Sequence, residues 1–262
     1  MNELITYTAS FYGNFVVFLF ILLRVSAIIV FAPVFSSMSI PPQVKMAFCF
    51  VFAAVIFPVV EPFINIHQLT ALSLFAITVR EILLATLLAL TIHLIWSGIE
   101  LGAQLVGYNM GFSIANVLSP EENTQISILA EFESIFAILV FLAVDGHYEF
   151  IKAMVLSFKV MPIGSFALNE PVMNIFIKLV SMLFSVAFSV LAPVIIALFI
   201  TQVVFGLIAR TMPQINIMIV AFPLNIAVGF LVLGAAFTFA ANTIVAYYNE
   251  AFKYIYAILK VG

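Results

Sequence analysis

The chain has 262 residues, 65% of them hydrophobic and 8% charged, with a mean hydropathy of +1.28, whereas a soluble domain carries roughly 25% charged residues. That balance excludes an ordinary soluble domain and marks an integral membrane protein. Nine basic and 12 acidic side chains leave a net charge of −3, so no basic surface advertises nucleic acid as a partner.

A helix needs about 20 apolar residues to cross the hydrocarbon core, and six runs approach that length: about 12–34, 44–60, 70–96, 126–145, 172–200 and 215–246. The pieces between them are short, which leaves no soluble domain and makes residues 1–262 a single membrane domain. Backbone polar groups in lipid must be satisfied within the segment, and the alternating strands of a transmembrane barrel are absent from the sequence. The fold class expected is therefore an all-α integral membrane protein with about six hydrophobic helices, some of them kinked.

The first run is preceded by Glu3 rather than lysines and contains Arg24. Without a small-residue cleavage pattern it reads as a retained membrane segment and not a signal peptide. Pro33, Pro41 and Pro42 end this run and open the second, which Pro58 and Pro62 close. The lone cysteine, Cys49, lies in KMAFCFVFAAVIF, where a thiol behaves as a small hydrophobe. The third run carries Arg80 next to Glu81. Ionisable groups at membrane depth are expensive and face protein or water, so Arg24, Arg80 and Glu81 are read as structural ion pairs or snorkelling side chains, or else as part of a proton or ion pathway. Helix neighbours point about 100° apart, so Arg80 and Glu81 are expected to find partners elsewhere than each other.

Residues 97–125 form a central glycine-rich segment, expected as a loop. Gly98, Gly102, Gly107 and Gly111 recur every four or five residues, with Ser97, Ala103 and Ser113 among them. Such spacing on a helix makes a small-residue face for close approach of another backbone. Glycine also frees φ to positive values and loosens the chain, and the residues alone leave both readings open. Beyond it, Glu131 and Glu133 sit near the start of the fourth run, where a helix N-terminus favours negative charge; two residues apart, they lie on different faces and make a poor acid/base pair. Asp145-Gly146-His147 reads as a turn, as do Pro162 and Gly164.

Pro193 and Pro223 fall inside the last two long runs and each should kink or split its helix. With six spans, Lys45 and Arg210 fall in odd-numbered loops, while Lys152, Lys159, Lys253 and Lys260 fall in even-numbered loops and the tail; the positive-inside rule then places the second set in the cytoplasm. His67, His93 and His147 have no second ligand at metal spacing, and no nucleophile, zinc or phosphate motif occurs. No enzyme activity, metal site or cofactor is expected.

Four separated blocks coincide in order: LRVSAIIVFAPVFSSMSIPPQVK (23–45), GAQLVGYNMGFSIANVLSP (102–120), FLAVDGHYEFIKAMVLSFKVMPIG (141–164) and APVIIALFITQVVFGLIARTMPQINIMIVAFPLNIAVG (192–229). Together they resemble the FliR family of flagellar protein-export gate components and their injectisome relatives. Arg210-x-x-Pro213-Gln214-x-Asn216 followed by Phe222-Pro223-Leu224 is similar to the flagellar branch. Ser119, Asp145 and Met218 depart from the commoner pattern, so no role is carried onto Ser119 or Asp145.

The resemblance implies bent helical hairpins within a larger helical assembly with FliP and FliQ, contacted by FlhB and working with FlhA. The site it implies is the inner membrane at the flagellar basal body, with unfolded flagellar proteins in transit and membrane lipid around it. It also places a plug-like loop in the glycine-rich region. A gate for polypeptides of any sequence cannot rely on polar readout, and compliant apolar groups close a pore by dewetting. Gly107, Tyr108, Met110, Gly111, Phe112, Ile114 and Val117 are the residues expected to help close it. The rival reading is a secondary transporter with a midplane site built on Arg24, Arg80, Glu81 and helices broken at Pro193 and Pro223.

Overall fold

A computed structural model describes residues 2–31, 41–60, 70–112, 128–214 and 216–262, with the backbone alone described for 2–12 and 217–219. Among the described residues the regular structure is helical: α1 (Asn2–Phe31), α2 (Pro42–Val60), α3 (Ala71–Met110), α4 (Ile128–Ala143), α5 (Gly146–Val160), α6 (Glu170–Val190), α7 (Ala192–Thr211), α8 (Ile217–Ala235) and α9 (Phe237–Val261). Five of these stretches are long and apolar enough to cross a membrane, and six if the bent pair α8–α9 counts as one span.

That number agrees with the six runs, but the pieces differ. The run at 126–145, expected as a span, is a helix of 16 residues. At 1.5 Å per residue it covers roughly 24 Å, short of the ~30 Å hydrocarbon core. It ends because Asp145 takes φ 56°, a left-handed conformation that an aspartate tolerates, and the chain restarts as α5. The run at 172–200 is two helices. Pro193 lies in the first turn of α7, where its missing N–H would have had no helical partner, and Leu191 caps the break. Pro223 behaves differently, because α8 continues through it from Ile217 to Ala235. The bend of 63° falls at Ala236 instead. Just past it, Phe237 packs against Phe136 with ring centroids 4.1 Å apart. Pro58 likewise sits inside α2, two residues before its end.

The chain divides into two compact units. The first comprises Met1–His93, Asp145–Leu179 and Glu250–Gly262. Its core joins α1 and α2 through Ile21, Val25, Ile28, Cys49, Ala53 and Ile56, all buried, and Phe18 meets Phe50 and Phe57 edge-on. The C-terminus is tied down here as well. Asn169 Nδ2 donates to the Val261 carbonyl at 2.5 Å, and the Ala167 N–H donates to the Gly262 carbonyl at 3.3 Å. On α5, outside the candidate spans, Glu149 accepts from Tyr256 Oη at 3.0 Å and from Lys152 at 3.3 Å. The Tyr256 hydrogen bond and then Lys152 hold its carboxyl below the usual carboxylate range.

The second unit comprises Leu94–Val144 and Val180–Asn249. In it the later half of α3 comes close to α6. A Cβ on Gly98 would stand 2.6 Å from the Leu183 carbonyl oxygen, and one on Gly102 would overlap the Ala187 carbonyl. Two backbones approach this closely only where both glycines lack a side chain. The 97–125 segment, expected as a loop, is thus helical as far as Met110. Buried Ile99, Ala103, Val106 and Met110 give it a helical apolar stripe. Elsewhere in this unit Tyr248 lies against Phe141 and its hydroxyl donates to the Ala137 carbonyl at 3.4 Å.

Candidate functional site

Two constellations collect the residues that the sequence singles out. The first, in the first unit, is a buried ion pair. Arg24 on α1 and Glu81 on α3 are fully inaccessible. Arg24 Nε donates to Glu81 Oε2 at 2.5 Å and Nη2 donates to Oε1 at 2.9 Å, a two-pronged fork that matches the flat guanidinium to the carboxylate. The remaining donors reach the Ser157 hydroxyl at 3.3 Å and the Met161 carbonyl at 3.1 and 3.2 Å, while the Phe158 ring lies 4.3 Å from the guanidinium carbon.

Gly164 closes the arrangement. Its N–H donates to Glu81 Oε1 at 2.8 Å, and its carbonyl accepts from Arg80 Nη1 at 2.8 Å. Adjacent residues on α3 therefore grip the two polar groups of one glycine instead of pairing with each other. Gly164 has φ 81°, and a Cβ there would meet Ile77 at 2.9 Å, so this turn needs glycine on both counts. Every charge of the Arg24–Glu81 pair is spent on a protein partner, which is what a charge at membrane depth requires. Of the proposed transporter constellation, Arg24, Arg80 and Glu81 belong to this unit while Pro193 and Pro223 belong to the other.

The second constellation is the end of α3, in the second unit. Gly111 has φ 94°, its N–H donates to the Tyr108 carbonyl at 3.1 Å, and the Phe112 N–H donates to the Gly107 carbonyl at 3.1 Å. These two bonds, five-to-two and six-to-one around a left-handed glycine, are the Schellman stop that satisfies the last carbonyls of a helix. Gly107 stays helical and buried, so of the two glycines flanking Met110 only Gly111 turns the chain.

Other helices of the unit converge on that stop. Asn109 Nδ2 donates back to the Leu105 carbonyl at 2.8 Å, Gln202 Nε2 of α7 donates to Asn109 Oδ1 at 2.9 Å, and Asn225 Nδ2 of α8 reaches the Asn109 carbonyl at 3.4 Å. Met110 is 1% exposed, seated where a Cβ on Gly229 of α8 would lie 2.7 Å from its thioether. Gly111 faces the Phe222 ring, and Phe112 meets Phe230 with centroids 6.2 Å apart. Tyr108, at 58%, points away from the core. Ile114 and Val117 lie outside the described residues.

Gln202, Asn225 and Gly229 were not singled out by sequence reasoning. The available signal was an amide inside each apolar run, since a buried polar group in a membrane helix needs a partner on another helix. Among the acidic residues of α4, Glu131 is exposed in the first turn as a favourable dipole partner, but Glu133 is not explained that way. It is buried, and its Oε2 has no hydrogen-bond partner among the described residues.

Long apolar helices with glycine-mediated close contacts define the class: an all-α membrane protein. Residues 15–251 match the family model of bacterial export proteins, family 1, and the chain belongs to that family. It is similar to the flagellar biosynthetic protein FliR of Bacillus subtilis strain 168, at 30% identity over 84% of this chain and 85% of that protein. FliR of Escherichia coli K12 is 28% identical over 91% of this chain and 90% of its own length. FliR of Pectobacterium carotovorum is 27% identical over 88% and 85%. The expected FliR resemblance is thereby established, and the protein is a membrane-embedded component of the flagellar export apparatus.

Proposed function

We propose that this protein is a channel-forming structural subunit of the flagellar type III export gate, without chemistry of its own. It sits in the bacterial inner membrane at the basal body and assembles with FliP and FliQ, with FlhB in contact and FlhA working alongside. Unfolded flagellar proteins pass through the assembly. Residues Gly107 to Val117 help to close the path at rest.

The observation that carries this reading is the glycine stop at Gly111. A helix end met by α7 and α8, with Met110 buried, supplies a fixed root, and the sequence that leaves it is apolar and bulky: Phe112, then Ile114 and Val117. Apolar bulk on a fixed root closes to water and ions by dewetting, yet makes no demand on the sequence of a passing chain. Exposed Ile196, Phe199, Val203 and Leu207 on α7 and Leu231 on α8 support the assembly, because apolar surface of this extent is covered by lipid or by neighbouring subunits. The flagellar names of its relatives favour the flagellar branch over the injectisome alternative. The transporter alternative is disfavoured by the complete burial and internal pairing of Arg24 and Glu81.

Deleting Met110 to Val117 is expected to make the resting membrane leaky to ions while the deletion variant still co-purifies with the two other small hydrophobic subunits. Unchanged conductance in an assembled deletion complex would remove the gate role from this segment. Recovery as a solute-binding monomer would favour the transporter.

A further inference from the structure

We propose that Asn109, Gln202, Asn225 and Gly229 are positioning residues that form a latch, fixing the end of α3 and with it the resting state of the gate. The inference rests on the gate reading above and adds to it which contacts hold the gate shut.

Three features set this corner apart from ordinary helix packing. The Schellman bonds satisfy the carbonyls of Gly107 and Tyr108, while among the described residues no backbone donor of α3 reaches that of Asn109. Asn225 Nδ2 reaches this carbonyl from α8, and the Asn109 side chain is held in turn by Gln202 from α7. The helix end is thus met by two other helices as well as by its own Schellman bonds. Next, Met110 occupies the space left by Gly229 against α8, so the last turn is held sterically as well as by amides. Finally, the latch is incompletely satisfied: Asn225 is 7% exposed, and its Oδ1 has no hydrogen-bond partner among the described residues.

The 3.4 Å reach of Asn225 to the Asn109 carbonyl is long for a hydrogen bond. A fully satisfied network would lock the helix end permanently. One that combines an amide bond at 2.9 Å with a stretched one at 3.4 Å is closed but releasable. That is what a gate needs if a polypeptide arriving from the apparatus is to displace the segment rooted at Gly111. Met110, read from the sequence as a lining residue, acts here as the bolt, and its flexible thioether lets it leave and re-enter its seat.

The test uses the full export apparatus in cell membranes, reading resting ion leak and export of a flagellar subunit, with assembly checked by co-purification. Gln202→Leu combined with Asn225→Leu removes the amides at nearly constant volume. The double variant is expected to raise resting leak about fivefold, the population shift that follows from losing about one net hydrogen bond, with export retained. Gly229→Ala unseats Met110 and raises leak, and Met110→Ala, which takes away the bolt itself, raises it as well. A merely structural role would instead reduce assembly and export, with no added leak in the complexes that do assemble.

Wild-type leak in the assembled double variant overturns the latch. If the double variant does not assemble, Gln202→Leu alone, at an exposed position, decides by the same criterion. The deletion of Met110 to Val117, run alongside, separates the failures: a leaky deletion with tight latch variants sinks the latch alone, whereas a tight deletion sinks the gate reading beneath it.

Discussion

Arg24→Met is expected to destabilise the folded protein by about 3–5 kcal/mol, because it leaves the Glu81 carboxylate buried with its principal partner gone. Among the described residues Glu81 keeps only the Gly164 N–H, and the Met161 carbonyl and Ser157 hydroxyl lose the Arg24 donor as well. The damage spans four segments, since α1, α3, α5 and the connection after α5 meet at this guanidinium. In cells the expected result is a sharp fall in the amount of protein retained in the membrane; in detergent it is a lower midpoint of thermal unfolding. Arg24→Met with Glu81→Leu separates a structural pair from an ion pathway. Replacing both members by apolar groups of similar size is frequently neutral, so the double variant should recover most of the lost protein and of the export activity. A stable double variant that exports nothing would show that the charges themselves are needed.

The pair also marks how far the sequence could be read. That Arg24, Arg80 and Glu81 must be satisfied inside protein follows from the hydropathy around them, and that Arg80 and Glu81 do not pair follows from helical geometry. The identity of the partners does not follow, because Arg24 and Glu81 are 57 positions apart and meet only once α1 and α3 are packed. Asp145 and Pro193 were legible as breaks because each acts locally: one adopts a left-handed turn, the other lacks an N–H. The bend at Ala236 was not legible. Alanine has no conformational reason to stop a helix, so tertiary packing around Phe237 and Phe136 is where its cause lies. Pro223, which looked like the stronger breaker, is carried inside α8.

The candidate gate divides along the same line. Gly111 as a point of special backbone freedom could be read from composition, whereas Met110 could not be told from a lining residue. Its seat is an absence, the missing side chain of Gly229 on a helix more than a hundred positions away. Asn225, in FPLNIAVG, announces that an apolar helix needs a polar partner but not that the partner is the unfinished carbonyl of Asn109.

Gly102→Val is expected to force α3 and α6 apart, costing about 1–3 kcal/mol or more, the range for overpacking a filled contact. The argument turns on what the new atom meets. At Gly102 a Cβ overlaps the Ala187 carbonyl oxygen and comes within 3.1 and 3.2 Å of its carbonyl carbon and Cα, all of them backbone atoms that cannot rotate away. At Gly229 the obstacle is the end of a methionine, which can move. At Gly206 and Gly234 nothing lies within 4 Å, so Gly206→Ala and Gly234→Ala should be neutral or stabilising by up to about 1 kcal/mol, the helix-propensity difference between the two residues. Thermal unfolding of the three variants in one detergent checks the series, and equal effects at Gly102 and Gly206 would contradict close helix approach as the reason for glycine. The consequence reaches the proposed gate through α3 itself. Gly98 and Gly102 fix the same helix whose last turn carries Asn109, Met110 and Gly111, so a displaced α3 at Gly102 should also loosen that terminus. Gly102→Val is therefore expected to raise resting ion leak together with its loss of stability, while Gly206→Ala leaves both unchanged.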